Sequence, residues 1–143
     1  MFKMPKIIIS NTSCFIVLAN ISALHLLQDT YGHIATTLEV AAEFGQPLPD
    51  WIEIKAAADR QLQKVLALQL DKGEASAIAL AIEMPDSTII LDDYKARKVA
   101  EKLHLDITGT IGVIIKAKLK GIIPSIRPYL DKIKILTLDY LQR

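Results

Sequence analysis

A chain of 143 residues with a hydrophobic share of 51% can bury a sizeable core, which excludes wholesale disorder and fits one domain over residues 1–143. The single cysteine, Cys14, excludes an internal disulfide and favours a reducing, cytoplasmic location, and no Cys/His cluster suggests zinc. The net charge of +1 hides an asymmetry, because residues 1–93 carry 6 basic and 12 acidic side chains whereas residues 94–143 carry 11 basic and 4 acidic ones.

This asymmetry has two readings. It favours an acidic site beside a basic surface, but lysine-rich, solvated helix faces would explain the basic half equally well.

The uncharged run from Ile7 to Gln28 has the length of a membrane span. Four consecutive polar residues at 10–13 interrupt it, and they suit a loop between a buried strand and a buried helix. We therefore expect no membrane segment.

Short apolar runs and helical spacings alternate along the chain. The predicted strands, in chain order, are Lys6–Ser10, Tyr31–Ala35, Trp51–Lys55, Thr88–Leu91 and Asp106–Thr108. The first predicted helix runs through Phe15–Leu18 and is capped from 11–13, and the third runs from a cap at Thr36 or Thr37 to Phe44. The other predicted helices are Ser22–Gln28, Asp59–Leu70, Glu74–Glu83, Tyr94–Leu103, Gly109–Lys120 and Pro124–Lys134. Lys72-Gly73 is predicted to be a break between helices. The alternation implies right-handed crossovers, and hence an α/β fold of three αβα layers around a central, mainly parallel sheet.

In such sheets ligands bind beyond the carboxyl ends of the strands. The predicted strands place Asn11, Asp92, Asp93 and Thr108 at that edge, since each ends or follows a strand. The segment from Thr108 to Gly112 could also offer backbone N–H groups to a phosphate, although glycines that allow close packing explain it equally well.

Two adjacent carboxylates, Asp92 and Asp93, are the sharpest local signal. Close carboxylates repel each other unless a cation lies between them, and Mg²⁺ prefers oxygen ligands of this kind. One of the two can be a helix cap, which leaves the other unexplained. Glu74 at a helix start suits the helix dipole, whereas Glu43 in a last helical turn is slightly unfavourable there. Asn11 is a good helix cap in its own right.

The order of several motifs resembles that of PIN-domain proteins, and most closely the nucleic-acid-binding branch related to VapC toxins. The motifs are S-N-T-S (10–13), V-A-A-E (40–43), G-E-A-S-A-I-A-L-A (73–81), I-I-L-D-D (89–93), A-R-K-V-A (96–100) and T-G-T-I-G-V (108–113). The resemblance implies a PIN-like αβα fold and an Mg²⁺- or Mn²⁺-dependent ribonuclease in which a cation-activated water attacks an RNA phosphodiester.

The resemblance also implies the site residues. The acidic quartet of the family corresponds to Asn11, Glu43, Glu74 and Asp93, with Asp92 adjacent and sharing the metal role. Thr12 or Ser13 corresponds to the small polar residue after the first acid. The family pattern begins D-T-S and this chain reads N-T-S, so a carboxylate is missing and we predict reduced or absent nuclease activity.

Two functions therefore compete. The first is a toxin-like ribonuclease, which would have an antitoxin protein as partner. The second is an inactive PIN-fold module that binds RNA or a protein. A receiver-like signalling domain is a weaker third option. The similarity also implies a homodimer.

For RNA contact we expect a set of small polar and basic residues beside the acidic edge. They are Thr12, Ser13, Lys95, Arg97, Lys98 and Thr108, with Lys102, Lys116, Lys118 and Lys120 beyond them.

Overall fold

The structure, a computed structural model, describes residues 6–141. Within that range five strands alternate with eight helices. The strands are β1 Ile7–Ile9, β2 Ile34–Thr37, β3 Ile52–Lys55, β4 Ser87–Ile90 and β5 Ile107–Thr108. The helices are α1 Thr12–Asn20, α2 His25–Tyr31, α3 Leu38–Phe44, α4 Arg60–Leu66, α5 Lys72–Glu83, α6 Tyr94–Lys102, α7 Thr110–Leu119 and α8 Arg127–Leu141.

The strands form one sheet in the order β3-β2-β1-β4-β5, and every pair is parallel. β1 lies in the centre because its three isoleucines serve both faces of the sheet. Ile8 packs into a core that includes α1, α2 and α7, whereas Ile9 packs on the opposite face with α4, α5 and α6. The predicted three-layer αβα arrangement is therefore confirmed, and the sheet is wholly parallel.

Helix α5 is the most deeply buried helix of the second face. Its alanines, among them Ala75, Ala77 and Ala79, are completely buried. Small side chains let the helix backbone lie close to the sheet, and alanine also favours the helical conformation. This close approach brings the first turn of α5 to the edge of the sheet at which β1 ends.

Most predicted elements lie within three residues of their observed places, but three predictions are wrong. The helix predicted over Pro124–Lys134 is α8, which continues to Leu141. Lys72-Gly73 is not a break, because Asp71 caps α5 and both residues belong to its first turn. The helix predicted to reach Leu70 ends at Leu66, and turns follow it. The second strand is also shifted: α2 continues to Tyr31, Gly32 turns the chain with a φ of 81°, and β2 begins at Ile34.

No helix within residues 6–141 combines the length and the apolar character that crossing a membrane requires.

The opposite, amino edge of the sheet is held by an ion pair. Asp106 precedes β5 and accepts hydrogen bonds from Lys6 Nζ at 2.5 Å and from Thr88 Oγ1 at 2.7 Å. The hydrogen bond from Lys6, assisted by that from Thr88, lowers the pKa of the Asp106 carboxyl. A lowered pKa in the folded state means that this carboxylate stabilises the fold above its ordinary pKa and ceases to do so as the pH falls through the folded value.

We expect Asp106→Asn to lower the free energy of unfolding at neutral pH by about 0.5 kcal/mol, since both partners of the ion pair are half exposed. Urea titrations of both proteins in steps from neutral pH to about pH 2 should show the difference closing as Asp106 of the wild type becomes protonated. The control is Asp29→Asn, because Asp29 is exposed on α2 and has no hydrogen-bond or ion-pair partner within residues 6–141. A difference independent of pH would contradict the assignment.

Candidate functional site

Acidic side chains gather at the carboxyl edge of the sheet. A cavity of about 330 Å³ opens there, between the starts of α1, α5 and α6 and the end of α3. We call it the acidic cavity, and its lining residues are Asn11, Thr12, Ser13, Glu43, Asp71, Glu74, Asp92 and Asp93. Five carboxylates thus face one space, and none of the lining residues is basic. The structure therefore brings together Asn11, Glu43, Glu74, Asp92 and Asp93, which are far apart in sequence.

Asn11 uses both ends of its amide within the protein. Its Oδ1 accepts a hydrogen bond from the backbone N–H of Cys14 at 3.0 Å, which caps α1. Its Nδ2 donates to Ser13 Oγ at 3.1 Å. An aspartate could accept the same capping bond but could not donate to Ser13, so the amide is compatible with the cap and adds a contact of its own.

Asp92 joins three segments of the chain. Its Oδ2 accepts hydrogen bonds from Ser13 Oγ at 3.0 Å and from Thr110 Oγ1 at 2.5 Å, and its Oδ1 accepts from the backbone N–H of Thr110 at 2.8 Å. The end of β4 is thereby tied to the starts of α1 and α7. Both oxygens of Asp92 are occupied by protein donors, which suits a structural role.

The approach of α7 to Asp92 depends on Gly109. A Cβ at this position would lie 3.0 Å from Asp92 Oδ1 and 3.2 Å from Arg97 Nη1, closer than most Cβ contacts in proteins. A side chain at residue 109 would therefore push the carboxylate or the guanidinium away. The glycine lets Asp92 reach the N-terminus of α7.

Asp93 is the helix cap of the pair. Its Oδ2 accepts from the backbone N–H of Ala96 at 3.0 Å, at the start of α6. Its Oδ1 makes no hydrogen bond within the described residues. The sequence left open which of the two aspartates is the helix cap. Asp93 caps α6 and keeps one oxygen free, whereas Asp92 joins the end of β4 to the starts of α1 and α7.

Glu74 and Asp71 form a reciprocal capping box at the start of α5. Asp71 Oδ1 accepts from the Glu74 backbone N–H at 2.8 Å, and Glu74 Oε1 accepts from the Asp71 backbone N–H at 3.4 Å. Burial, together with the negative charges of Asp71 and Asp93, raises the pKa of Glu74 to about 7. Negative charge is therefore in excess at this point of the cavity, and a cation would relieve it. Sequence analysis missed Asp71, although the D-x-x-E spacing of a capping box was its signal.

Two further residues complete the lining. Glu43 is exposed in the last turn of α3 and makes no hydrogen bond within residues 6–141, so its carboxylate is free to bind a ligand. Thr12 is 6% exposed, and its Oγ1 is buried without a hydrogen-bond partner in the described part of the chain. An unpaired buried hydroxyl is costly, so a bound water or ligand at the cavity would satisfy it.

The donor set fits a hard divalent cation in chemistry and charge. Carboxylate oxygens, an unpaired hydroxyl and an excess of negative charge are what Mg²⁺-like ions require. Within residues 6–141, however, no three Asp, Glu, His or Cys side chains converge closely enough to hold a metal ion. The arrangement suits a cation held by one or two carboxylates, with water completing its coordination, which is usual for Mg²⁺.

The residues predicted to contact RNA lie at different places in the structure. Thr12 and Ser13 line the acidic cavity, and Lys95 is exposed on α6. Arg97 turns inward, because its Nη1 donates to the backbone oxygen of Leu91 at 2.7 Å. Thr108 ends β5 at the carboxyl edge, as predicted, and its backbone oxygen accepts from the backbone N–H of Leu91 at 2.9 Å, but its side chain lines a different cavity, on a face of the sheet.

Lys98 is exposed, and its ammonium group interacts with two neighbours on its own helix. Its Nζ lies 3.6 Å from Glu101 Oε2 and 5.3 Å from the centre of the Tyr94 ring. Such exposed pairs are weak, so Lys98 remains accessible to a phosphate.

Cys14 lies directly beneath this edge and is completely buried. Burial is the main cause that raises the pKa of its thiol to about 12, so the thiol is protonated and unreactive at neutral pH. Cys14 therefore behaves as a small, buried apolar residue.

Comparisons with known proteins agree with the fold. A family model described as a PIN domain matches residues 7–138, nearly the whole chain. No match was found among proteins of curated function. Because the family model spans so much of the sequence, the chain belongs to the PIN-domain family.

Proposed function

We propose that the protein binds a divalent cation in the acidic cavity and is a weak, cation-dependent ribonuclease. The observation that carries this proposal is the gathering of five carboxylates around one cavity without a basic side chain. PIN domains generally use divalent metals, which supports Mg²⁺ or Mn²⁺ as the cation.

The candidates to hold the cation are Asp93 through its free Oδ1, Glu74 and the exposed Glu43, of which one or two would bind it while water completes its coordination. When bound, the cation would activate water and neutralise charge on the phosphate. The residues of the chain have complementary tasks: Thr12 and Ser13 place hydroxyl groups at the cavity, and Lys95 supplies a positive charge for the strand. Asp92 holds the starts of α1 and α7 beside the cavity through its hydrogen bonds from Ser13 and Thr110.

A second candidate function is RNA binding without cleavage. It is favoured by Asn11, which lacks the charge of the family's first acid and whose amide is committed to Cys14 and Ser13. The toxin-like role, an antitoxin partner and a homodimer stay predictions from the family resemblance, and a cytoplasmic location stays a prediction from the single cysteine.

Amide variants of the acidic residues test cation binding. Glu74→Gln and Asp93→Asn should each raise the dissociation constant for Mn²⁺ about tenfold, because each removes one ligand charge. Both variants keep the local fold, since Gln can complete a capping box and Asn is a good helix cap. Isothermal titration calorimetry with Mn²⁺ is the measurement.

The matched control is Asp29→Asn, an exposed acid on α2 outside the cavity, which should leave Mn²⁺ affinity unchanged. Equal affinity in the wild type and both cavity variants would disprove the acidic cavity as the cation site.

Asn11→Asp tests the reason for weak activity. The aspartate can still cap α1 and adds the missing carboxylate, so we expect cation-dependent cleavage of a generic RNA to rise about tenfold or more over the wild type. The double variant Asn11→Asp/Glu74→Gln should lose that gain, which excludes a contaminating nuclease.

Equal and robust cleavage by the wild type and Asn11→Asp would refute the link between Asn11 and low activity. Binding of RNA by both proteins with cleavage by neither would favour the binding module.

A further inference from the structure

The sheet face beneath α7 is unexpectedly polar. A parallel sheet covered by helices normally presents apolar residues on both faces. On this face Ile8 pairs with Thr88, and Ile90 pairs with Thr108, so both threonines share the face of the buried isoleucines. Asp106, two residues before Thr108, also reaches this face, where it accepts from Thr88. Departures from the apolar pattern are concentrated at functional sites in proteins.

A cavity of about 430 Å³ lies over these polar residues. We call it the lysine cavity, and it is lined by Lys6, Tyr31, Thr88, Thr108, Lys116 and Lys120, with Asp106 beside Lys6. Gly112 of α7 also lines it, and a Cβ there would overlap Thr108 Oγ1. The absence of a side chain at Gly112 therefore lets α7 lie directly against the Thr108 side chain of β5. The lysine cavity shares no lining residue with the acidic cavity.

Positive charge is in excess in the lysine cavity. Three ammonium groups face one carboxylate, and that carboxylate, Asp106, is already paired with Lys6. Lys120 is held in place, because its Nζ donates to the backbone oxygen of Thr30 and lies 5.6 Å from the centre of the Tyr31 ring. Lys116 has no hydrogen-bond or ion-pair partner within residues 6–141 and contributes an uncompensated charge.

Neutral donors accompany the ammonium groups. Tyr31 lines the cavity and burial raises the pKa of its phenol to about 12, so the hydroxyl remains protonated at neutral pH. Thr108 also lines the cavity, and its hydroxyl, which lies beside Gly112, has no acceptor among the described residues. Ammonium and hydroxyl groups that converge on one space match the oxygens of a phosphate group.

We propose that the lysine cavity binds a phosphate group, supplied either by a free phosphate or mononucleotide or by the backbone of a nucleic acid strand. Lys116 and Lys120 provide the charge, and Thr108 and Tyr31 donate to the remaining oxygens. The volume is within the range of small-ligand sites, roughly 300–1,000 Å³. This proposal does not rest on cation binding or on cleavage at the acidic cavity.

The test uses three probes with the full chain: inorganic phosphate, adenosine 5′-monophosphate and a non-cleavable 2′-O-methyl RNA of about ten nucleotides. All titrations are followed by amide chemical shifts in EDTA, so that binding at the acidic cavity through a cation does not contribute. Lys116→Gln should raise the dissociation constant about tenfold, the loss expected for one charge-assisted hydrogen bond.

The matched control is Lys64→Gln, which removes the same charge from an exposed residue of α4, on the opposite face of the sheet, and should change affinity less than about twofold. Lys116-dependent binding of phosphate and the mononucleotide identifies a free anion as the ligand, and Lys116-dependent binding of the RNA alone identifies a strand. Equal losses in the two variants, or no saturable binding of any probe, would overturn the proposal.

Discussion

The acidic cavity depends on hydrogen bonds between helix N-termini and the side chains that cap them. The first turn of a helix leaves backbone N–H groups without partners, and Asn11, Asp71 and Asp93 accept from these groups in α1, α5 and α6. The topology brings these helix starts to one edge of the sheet. Each cap uses one oxygen for the helix, so the other groups of the same side chains crowd into a common space. Burial of Glu74 is the main cause of its raised pKa, and the neighbouring charges of Asp71 and Asp93 add to it.

Two neighbouring aspartates illustrate how differently identical side chains are used. Asp93 satisfies one helix and leaves an oxygen open, whereas Asp92 is surrounded by donors from α1 and α7. Asn11 limits the negative charge of the site, since its amide caps α1 without adding a charge. The amide of Asn11 also donates to Ser13, which a carboxylate at this position could not do.

The parts that local chemistry decides could be predicted from the sequence. The first strand, the cap of α3 at Thr36 or Thr37 with its end at Phe44, and the cap of α6 at one of two adjacent aspartates each depend on residues within a few positions. Asp71 was missed because Lys72-Gly73 looked like a break, although its capping partner Glu74 is only three residues away. The bonds of Asp92 to Ser13 and Thr110 could not be predicted, since these partners are 79 and 18 residues distant. The cavity that the Thr108 side chain lines could not be predicted, because β5 has only two residues, too few for alternation to reveal which face of the sheet a side chain occupies.

The burial of Cys14 makes the chain its own reporter of motion at this edge. It is the only thiol in the protein, it is completely buried, and it lies one turn inside the helix that Asn11 caps. A thiol reagent can therefore modify the native protein only in the moments when α1 lifts from the sheet. The rate of such labelling measures the free energy of that opening without any engineered label. The opening concerns α1, whose cap Asn11 and first residues Thr12 and Ser13 line the acidic cavity.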